Sequence, residues 1–328
     1  MSTSGRTRAE AGAKAGRGRG LRFSREWTVT GALLLLLGFM AFTAPGFFEP
    51  QPLLSRLTAA APRLVVTCGL VLVMLCRQID ISVGSLFAIC SVAAGLLIAA
   101  SVPFPLAVAA AVGLGALGGA VNGTLVAGLR LPSIVVTLAT MVTGREALRL
   151  ARQGVFVNLP DGVQWFGLSM VSGQLVVCGV ALAVLTGLAL ALRFLSAGRW
   201  VYAAGSDAEA ARLAGLHPRL TTLATFVLLG ALTGVAAILN LVQSPQVDPA
   251  SGRLLELEAI AAAVVGGVAV SGGRGSLWGV FAGFLLLTCI SPALTHLGVK
   301  PYWDKAIQGG IILLAVVADG LGRRKGNR

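Results

Sequence analysis

Long apolar runs separated by short polar connections constrain this chain more than any other feature of its sequence. A helix needs about 20 apolar residues to cross the hydrocarbon core of a membrane. The expected fold class is therefore all-α and polytopic, with one transmembrane domain over residues 28–321. We predict about ten crossings, at residues 28–44, 57–76, 84–101, 104–127, 132–150, 172–195, 220–243, 255–271, 276–297 and 304–321.

The scarcity of charge agrees with lipid as the surrounding solvent. Hydrophobic residues make up 56% of the 328 residues and charged residues only 12%, which is about half the usual charged share of a soluble domain. The first predicted span is expected to stay uncleaved, because no small-residue cleavage site follows it. The segment at 255–271 opens with Glu256 and Glu258 and closes with glycines, so both a full crossing and a re-entrant segment remain open.

The net charge of +13 is concentrated at the two ends of the chain. Basic tails lie at residues 1–27, where we expect disorder, and at residues 322–328. Lys and Arg resist translocation, so both termini are predicted to be cytoplasmic, and with the tails included this layout places 18 of the 26 Lys and Arg residues on that side. No basic stripe with interleaved aromatic residues occurs, which argues against nucleic-acid binding.

The predicted cytoplasmic loop at 196–219 contains the signature of a short helix. Ser206 and Glu209 fit a capping box, and Gly215 is placed to end the helix. The acidic side chains lie near its start and a basic one near its end, as the helix dipole favours. The segment is either a surface helix or a docking helix for a partner, and its candidate residues are Ser206, Asp207, Glu209, Ala210, Ala211, Arg212 and Gly215.

Polar residues in or near the predicted spans are candidates for a transport pathway. A carboxylate at membrane depth usually faces a cavity or a partner, although Asp80 also fits a helix cap paired with Arg77. Uncharged polar side chains in spans most often bond to a neighbouring helix, but they equally suit the path of an uncharged solute. The candidate pathway residues are Asp80, Asn122, Thr137, Asn240 and Gln308.

Charged residues at the predicted outer ends of two spans are candidates for contact with an external partner. Arg145, Glu146 and Arg149 end the fifth span, while Glu256 and Glu258 open the eighth. Solvated charges at the membrane interface are the simpler interpretation. From this group we take Arg149 and Glu256 as the candidate contact residues.

Several stretches resemble the permeases of bacterial ATP-binding-cassette importers. The run Glu209-Ala210-Ala211-x-x-x-Gly215 is similar to the loop with which that family docks on its ATPase subunit, although the downstream Ile and Leu-Pro pair of the older consensus is absent. Without these residues, the chain resembles the ribose-type branch of the family more than the maltose-type branch. The other stretches that resemble the ribose-type branch are residues 79–84, 121–126, 131–138, 266–268 and 271–276.

The resemblance implies a type II importer-like permease in the bacterial inner membrane that imports a monosaccharide. Its implied partners are a cytoplasmic ATPase, a periplasmic sugar-binding protein and a second permease subunit, identical or homologous. ATP and Mg²⁺ would belong to the ATPase, because this chain has no phosphate-binding G-x-x-x-x-G-K-[ST] motif. The resemblance leaves open which sugar is imported and whether the two permease subunits form a homodimer or a heterodimer.

Two other classes of protein remain as alternatives. A secondary transporter driven by an ion gradient is expected to carry ionisable residues in mid-span, and the predicted spans place almost none there. A structural membrane protein would give the capped helix no specific partner. An enzyme is not expected, because no metalloprotease or nucleophile-elbow motif occurs, and the five cysteines lie singly in apolar runs without metal-ligand spacing.

Overall fold

The fold is a bundle of helices. The computed structural model describes residues 27–296 together with residues 298, 303, 306, 309, 310 and 313. The predicted tails and nearly all of the predicted last span lie outside the described residues, as does Gln308. The helices in chain order are α1 (Trp27–Thr43), α2 (Pro50–Leu75), α3 (Val83–Ala99), α4 (Phe104–Gly123), α5 (Ser133–Arg152), α6 (Met170–Phe194), α7 (Ser196–Ser206), α8 (Ala208–Leu213), α9 (Pro218–Leu241), α10 (Leu255–Val265) and α11 (Leu277–His296).

Five of these helices are long and apolar enough to cross a membrane, by length and composition. They are α2, α4 with its π-helical extension Thr124–Gly128, α6, α9 and α11. Helices α1 and α3 are apolar but shorter. The described strands are confined to Val157–Asn158 and Gln246–Val247, which pair antiparallel. The all-α polytopic prediction is therefore confirmed, whereas the number of crossings and the location of the termini stay predictions.

Helices α2 and α9 form the centre of the bundle. In their most apolar stretches, 83% of the α2 residues and 67% of the α9 residues are buried, against 22% in both α4 and α6. The two central helices are antiparallel neighbours, since Gly69 of α2 abuts Leu229 and Leu232 of α9. The outer helices therefore expose wide apolar faces, which suit lipid or a further membrane subunit.

Helix α4 crosses α9 at backbone contact. A Cβ atom added to Gly115 would overlap the carbonyl oxygen of Gly230, and one added to Gly119 would overlap that of Phe226. Small residues allow this approach, which dispersion then stabilises. By contrast, Gly113 on the same helix has no atom outside its own backbone surroundings within 4 Å.

The segment between α9 and α11 descends along α2 from Thr58 to Leu75. Gln243 donates from Nε2 to the carbonyl oxygen of Thr58 at 3.3 Å, Glu258 pairs with Arg63 at 3.2 Å, and the Gly273 amide donates to the carbonyl oxygen of Leu75 at 2.9 Å. We call the two ends of the bundle the Pro50 end and the Leu75 end, after the termini of α2. Irregular backbone of this kind is tolerated at membrane depth only where protein surrounds it.

Helix α10, within that segment, has 11 residues and is too short to cross a membrane. A full helical crossing at 255–271 is therefore wrong. The segment is not a re-entrant turn either, because it passes from the Pro50 end to the Leu75 end as loop, half-length helix and loop. Gly266 packs against Val280 of α11, where a Cβ atom would overlap the Val280 backbone.

Helix α2 begins seven residues earlier than the predicted span, and this corrects the position of its charge. Proline is compatible with the first turn of a helix, and α2 starts at Pro50. Arg63, which is near the start of the predicted span 57–76, consequently lies in the middle of a helix of 26 residues. Arg63 is therefore an exception to the expectation that almost no ionisable residues lie in the middle of the spans.

Candidate functional site

A buried chain of hydrogen bonds joins the start of α3 to α4. The Oδ1 atom of Asp80 accepts from the backbone N–H and the hydroxyl of Ser82 at 2.7 and 2.6 Å. The Ser82 hydroxyl oxygen in turn accepts from Nδ2 of Asn122 at 2.8 Å. Asp80 is 2% exposed and Asn122 3% exposed. The structure thus brings two of the sequence-predicted pathway residues together through Ser82.

Thr137 serves the same region from a different position. Its hydroxyl accepts from the Ile81 amide at 3.1 Å and donates to the carbonyl oxygen of Ser133 at 2.9 Å. The hydroxyl oxygen of Ser133 accepts from the Ile79 amide at 3.3 Å. Thr137 therefore fixes the extended backbone before α3 against α5, and it is fully buried behind that backbone.

A cleft with a volume of about 190 Å³ opens beside the hydrogen-bond chain, between α3, α4 and α5. Its lining comprises Ser82, Ser85, Leu86, Ile89, Gly118, Val121, Asn122 and Thr140. Asn240 is not among these residues, and Gln308 lies outside the described residues. Sequence reasoning missed Ser85 and Thr140, although Thr140 lies three residues, about one helical turn, from the candidate Thr137.

A group of charges lies deeper in the bundle than the sequence suggested. Arg145 donates to the carbonyl oxygens of Ser251 and Gly252 at 3.1 and 3.4 Å, and both Arg145 and Glu256 abut Gly84 at the start of α3. Arg145 is about 18 Å along α5 from Ser133. Glu256 is 7% exposed, which does not fit the external contact predicted for it.

The remaining charges of this kind differ in exposure. Arg149, the other predicted contact residue, is 77% exposed at its side chain and pairs with Glu146 at 3.2 Å. Arg63 and Glu258 form a second pair at mid-length of α2, with side chains 40% and 30% exposed. The outer surface of α5 thus keeps Arg149 as a candidate, while the other charges hold α10 and its preceding loop against α2 and α5.

The predicted short helix of the 196–219 loop exists as α8, but a different residue caps it. Asp207 is the N-cap, and its Oδ1 accepts from the amides of Glu209 and Ala210 at 3.0 Å each. Ser206 instead ends helix α7, which the sequence analysis did not predict. The capping box was therefore wrong, because two helices meet here and the extended residue between them is Asp207 (φ −156°, ψ 103°).

The other features of α8 agree with the prediction. Gly215 follows its end with φ +81°, a left-handed conformation that favours glycine. Glu209 binds Arg212 at 2.6 Å, and this hydrogen bond lowers the pKa of Glu209. Ala211 faces inward, whereas Leu213 is 76% exposed. The helix therefore presents a small, partly apolar outer surface.

Helix α7 links α8 to the end of α2 and to the loop before α11 through direct contacts. A Cβ atom added to Gly205 would overlap the carbonyl oxygen of Leu75 and approach the Gly273 amide at 2.8 Å. The Tyr202 hydroxyl donates to the carbonyl oxygen of Gly275 at 2.9 Å. The end of α2, the end of α7 and the loop before α11 thus meet at one backbone junction.

Replacement of Asp207 by alanine is expected to loosen α8 while leaving the bundle folded. The substitution removes the acceptor of two helix amides, which costs about 1 kcal/mol for a typical cap. Amide hydrogen exchange measured by mass spectrometry should show faster exchange across 208–214 and unchanged exchange in α2 and α9. A matched Ser206→Ala protein should exchange like the wild type, and equal effects of the two substitutions would contradict the assignment of the cap.

The long apolar helices are those of a multi-pass membrane protein. A family model described as the permease component of branched-chain amino acid transport systems matches residues 53–316. The chain belongs to that permease family.

Individual relatives agree with this assignment. The chain is 32% identical to the ribose import permease protein RbsC of Escherichia coli (strain K12) over 306 residues, which are 90% of this chain and 95% of the relative. It is 34% identical over 301 residues to the autoinducer 2 import system permease protein LsrC of Enterobacter sp. (strain 638), covering 90% of this chain and 87% of the relative. No solved structure matches the chain significantly. The resemblance to the ribose-type branch is confirmed.

Proposed function

We propose that this chain is the membrane-spanning subunit of an ATP-binding-cassette importer that brings a small sugar into a bacterial cell. The observation that carries the proposal is the likeness to a ribose import permease across 90% of the chain. A periplasmic binding protein would deliver the sugar, and a separate ATPase would bind ATP and Mg²⁺. The location is the inner membrane, with the Leu75 end and both termini in the cytoplasm.

The coupling part of the proposal rests on α8. This helix carries the Glu209-Ala210-Ala211 run that resembles the ATPase-docking loop, and it is exposed on the side away from Ala211. Its neighbour α7 is in backbone contact with Leu75 and Gly273. Docking of an ATPase on α8 would therefore act directly on α2 and on the loop before α11.

A second permease subunit, identical or homologous, would complete the transport path. Helix α5 supports this arrangement, because only Val136 and Thr137 of its 20 residues are buried although it lines the cleft. Arg149, exposed at the opposite end of α5 from Ser133, is the proposed contact for the binding protein. Glu256 is buried and is not part of the proposed contact.

One observation favours the alternative of an ion-gradient-driven transporter, namely the carboxylates Glu256 and Glu258 at mid-depth. Proton-coupled transporters use such groups as relays. Glu258, however, is paired with Arg63, and Glu256 lies beside Arg145 at Gly84. Arginine does not release its proton at physiological pH, so these groups suit fixed contacts better than a relay.

The experiment that tests the coupling claim is co-purification of the cognate ATPase with the intact permease in mild detergent. We expect the wild-type protein to retain the ATPase. A Glu209→Arg, Gly215→Trp double variant should lose it, because one change reverses the exposed charge and the other disrupts the end of α8.

A Glu146→Arg variant is the matched control, since it reverses an equally exposed charge elsewhere and should retain the ATPase. Each variant must elute from size-exclusion chromatography as the wild type does. If the wild-type permease binds no ATPase in any detergent or in nanodiscs, the importer proposal fails and the gradient-driven transporter takes its place.

A further inference from the structure

The cleft between α3, α4 and α5 carries an inference about the chemistry of the solute. A volume of about 190 Å³ equals that of about six water molecules and suits one small solute rather than an extended one. The cleft lies towards the Leu75 end, because the backbone before Ser82 is bonded to the first turns of α5. The cleft is partly open rather than enclosed, so a solute can enter it.

The hydrogen-bond chain behind the cleft has a fixed direction. Asp80 Oδ1 already accepts the Ser82 amide, so the Ser82 hydroxyl donates its single hydrogen to that same oxygen. The Ser82 oxygen can then only accept from Asn122, and its partner at 2.8 Å must be the Nδ2 amide group. The orientation of the Asn122 carboxamide is thereby determined, and its oxygen is directed away from the chain.

That oxygen is an unused acceptor. Asn122 is 3% exposed, it lines the cleft, and among the described residues its Oδ1 has no hydrogen-bond partner. A buried acceptor without a partner costs about 1–3 kcal/mol. A hydroxyl group of a bound solute would remove this cost by donating to Oδ1.

The other polar side chains of the cleft are also acceptors. The Ser85 hydroxyl donates to the carbonyl oxygen of Ser82 at 2.9 Å, and the Thr140 hydroxyl donates to that of Thr137 at 3.2 Å. Each hydroxyl hydrogen is thus committed, and the oxygen remains available to accept. Leu86, Ile89 and Val121 provide an apolar wall between these groups.

We propose that this cleft is a subsite for a neutral polyhydroxylated solute, with the carboxamide oxygen of Asn122 accepting one of its hydroxyl groups. A sugar supplies several O–H donors together with C–H surface for the apolar wall. The carboxylate end of an amino acid does not fit this cleft, because it would meet acceptor oxygens with the Asp80 carboxyl group behind them. This inference rests on the proposed import function and names the class of solute within it.

The test uses cells that express the complete transporter and lack their own sugar and leucine importers. Initial uptake rates are measured for labelled D-ribose, L-rhamnose, D-xylose and L-leucine. The fastest of the sugars is then compared with its monodeoxy analogues, in wild-type, Asn122→Ala and Thr140→Val proteins. Thr143→Val is the matched control, because Thr143 is exposed on α5 and does not line the cleft.

We expect the wild-type protein to prefer the parent sugar over one deoxy analogue by about tenfold more than the Asn122→Ala protein does, as for one hydrogen bond. The binding protein is the same in both cells, so its own selectivity cancels in this comparison. A general loss of folding would lower both rates without changing their ratio, which separates a direct contact from a structural role.

The uptake experiment has three outcomes that would contradict part of the proposal. If a sugar is imported but every deoxy ratio is the same in the wild-type and Asn122→Ala proteins, the subsite is overturned while the import function stands. If leucine is imported and no sugar is, the proposed sugar function itself fails. Equal changes in the Thr140→Val and Thr143→Val proteins would remove Thr140 from the subsite.

Discussion

The Gly119→Val and Gly230→Val proteins are expected to lose the native bundle. In each case the added Cβ atom would overlap a carbonyl oxygen of the facing helix, that of Phe226 or of Gly115. Backbone cannot move aside as a flexible side chain does, so the cost should reach about 3 kcal/mol or more, the upper range for overpacking. The measurement is the fraction of monodisperse protein that remains in detergent after heating through a temperature series.

Gly113→Val provides the control on the same helix. Its added atoms would meet nothing within 4 Å, so its thermal profile should stay close to that of the wild type. If the Gly113 and Gly119 variants were equally stable, α4 and α9 would not be in backbone contact at this crossing. If they were equally unstable, valine itself would be responsible rather than the contact.

The Arg145→Ala protein is expected to be destabilised by about 1–3 kcal/mol, the range for leaving buried hydrogen-bonding groups without their partner. The change deletes the hydrogen bonds to the carbonyl oxygens of Ser251 and Gly252. It also leaves Glu256 buried, with an Oε2 atom that has no hydrogen-bond partner among the described residues. Thermal stability in detergent is the first readout, and proteolysis within 248–254 reports release of the loop.

Arg149→Ala is the matched control, because it removes the same side chain one turn further along α5. Its ion pair with Glu146 is solvent-exposed, and such pairs contribute about 0–1 kcal/mol. A double Arg145→Met, Glu256→Gln protein should recover part of the stability lost in Arg145→Ala. No recovery would show that the two hydrogen bonds to the loop, rather than the charge of Glu256, account for the effect.

The class of fold was predictable from the sequence because apolar length alone decides it. The weak eighth span was also recognisable, since Glu256, Glu258 and several glycines are poor components of a lipid-exposed helix. Its actual course was not predictable. The descent along α2 depends on contacts of Thr58, Arg63 and Leu75 with residues more than 180 positions away in the chain.

The candidate site was predictable in its chemistry but not in its geometry. Asp80 and Asn122 were recognisable as polar residues in an apolar setting, yet nothing local indicates that Ser82 joins them across 40 residues. Thr137 and Thr140 lie one turn apart on α5. Because Ile81 meets α5 at the level of Thr137, Thr137 binds backbone whereas Thr140 lines the cleft.

The backbone junction at Gly205 also determines which segments would move if a partner displaced α8. Helices α7 and α8 are joined by the single extended residue Asp207. Gly205 of α7 contacts the carbonyl oxygen of Leu75 with no side chain between them. The same oxygen accepts the Gly273 amide. A displacement of α8 would therefore reach the end of α2, which leads into α3, and the glycine loop before α11 through the same carbonyl oxygen, so we expect these two segments to move together.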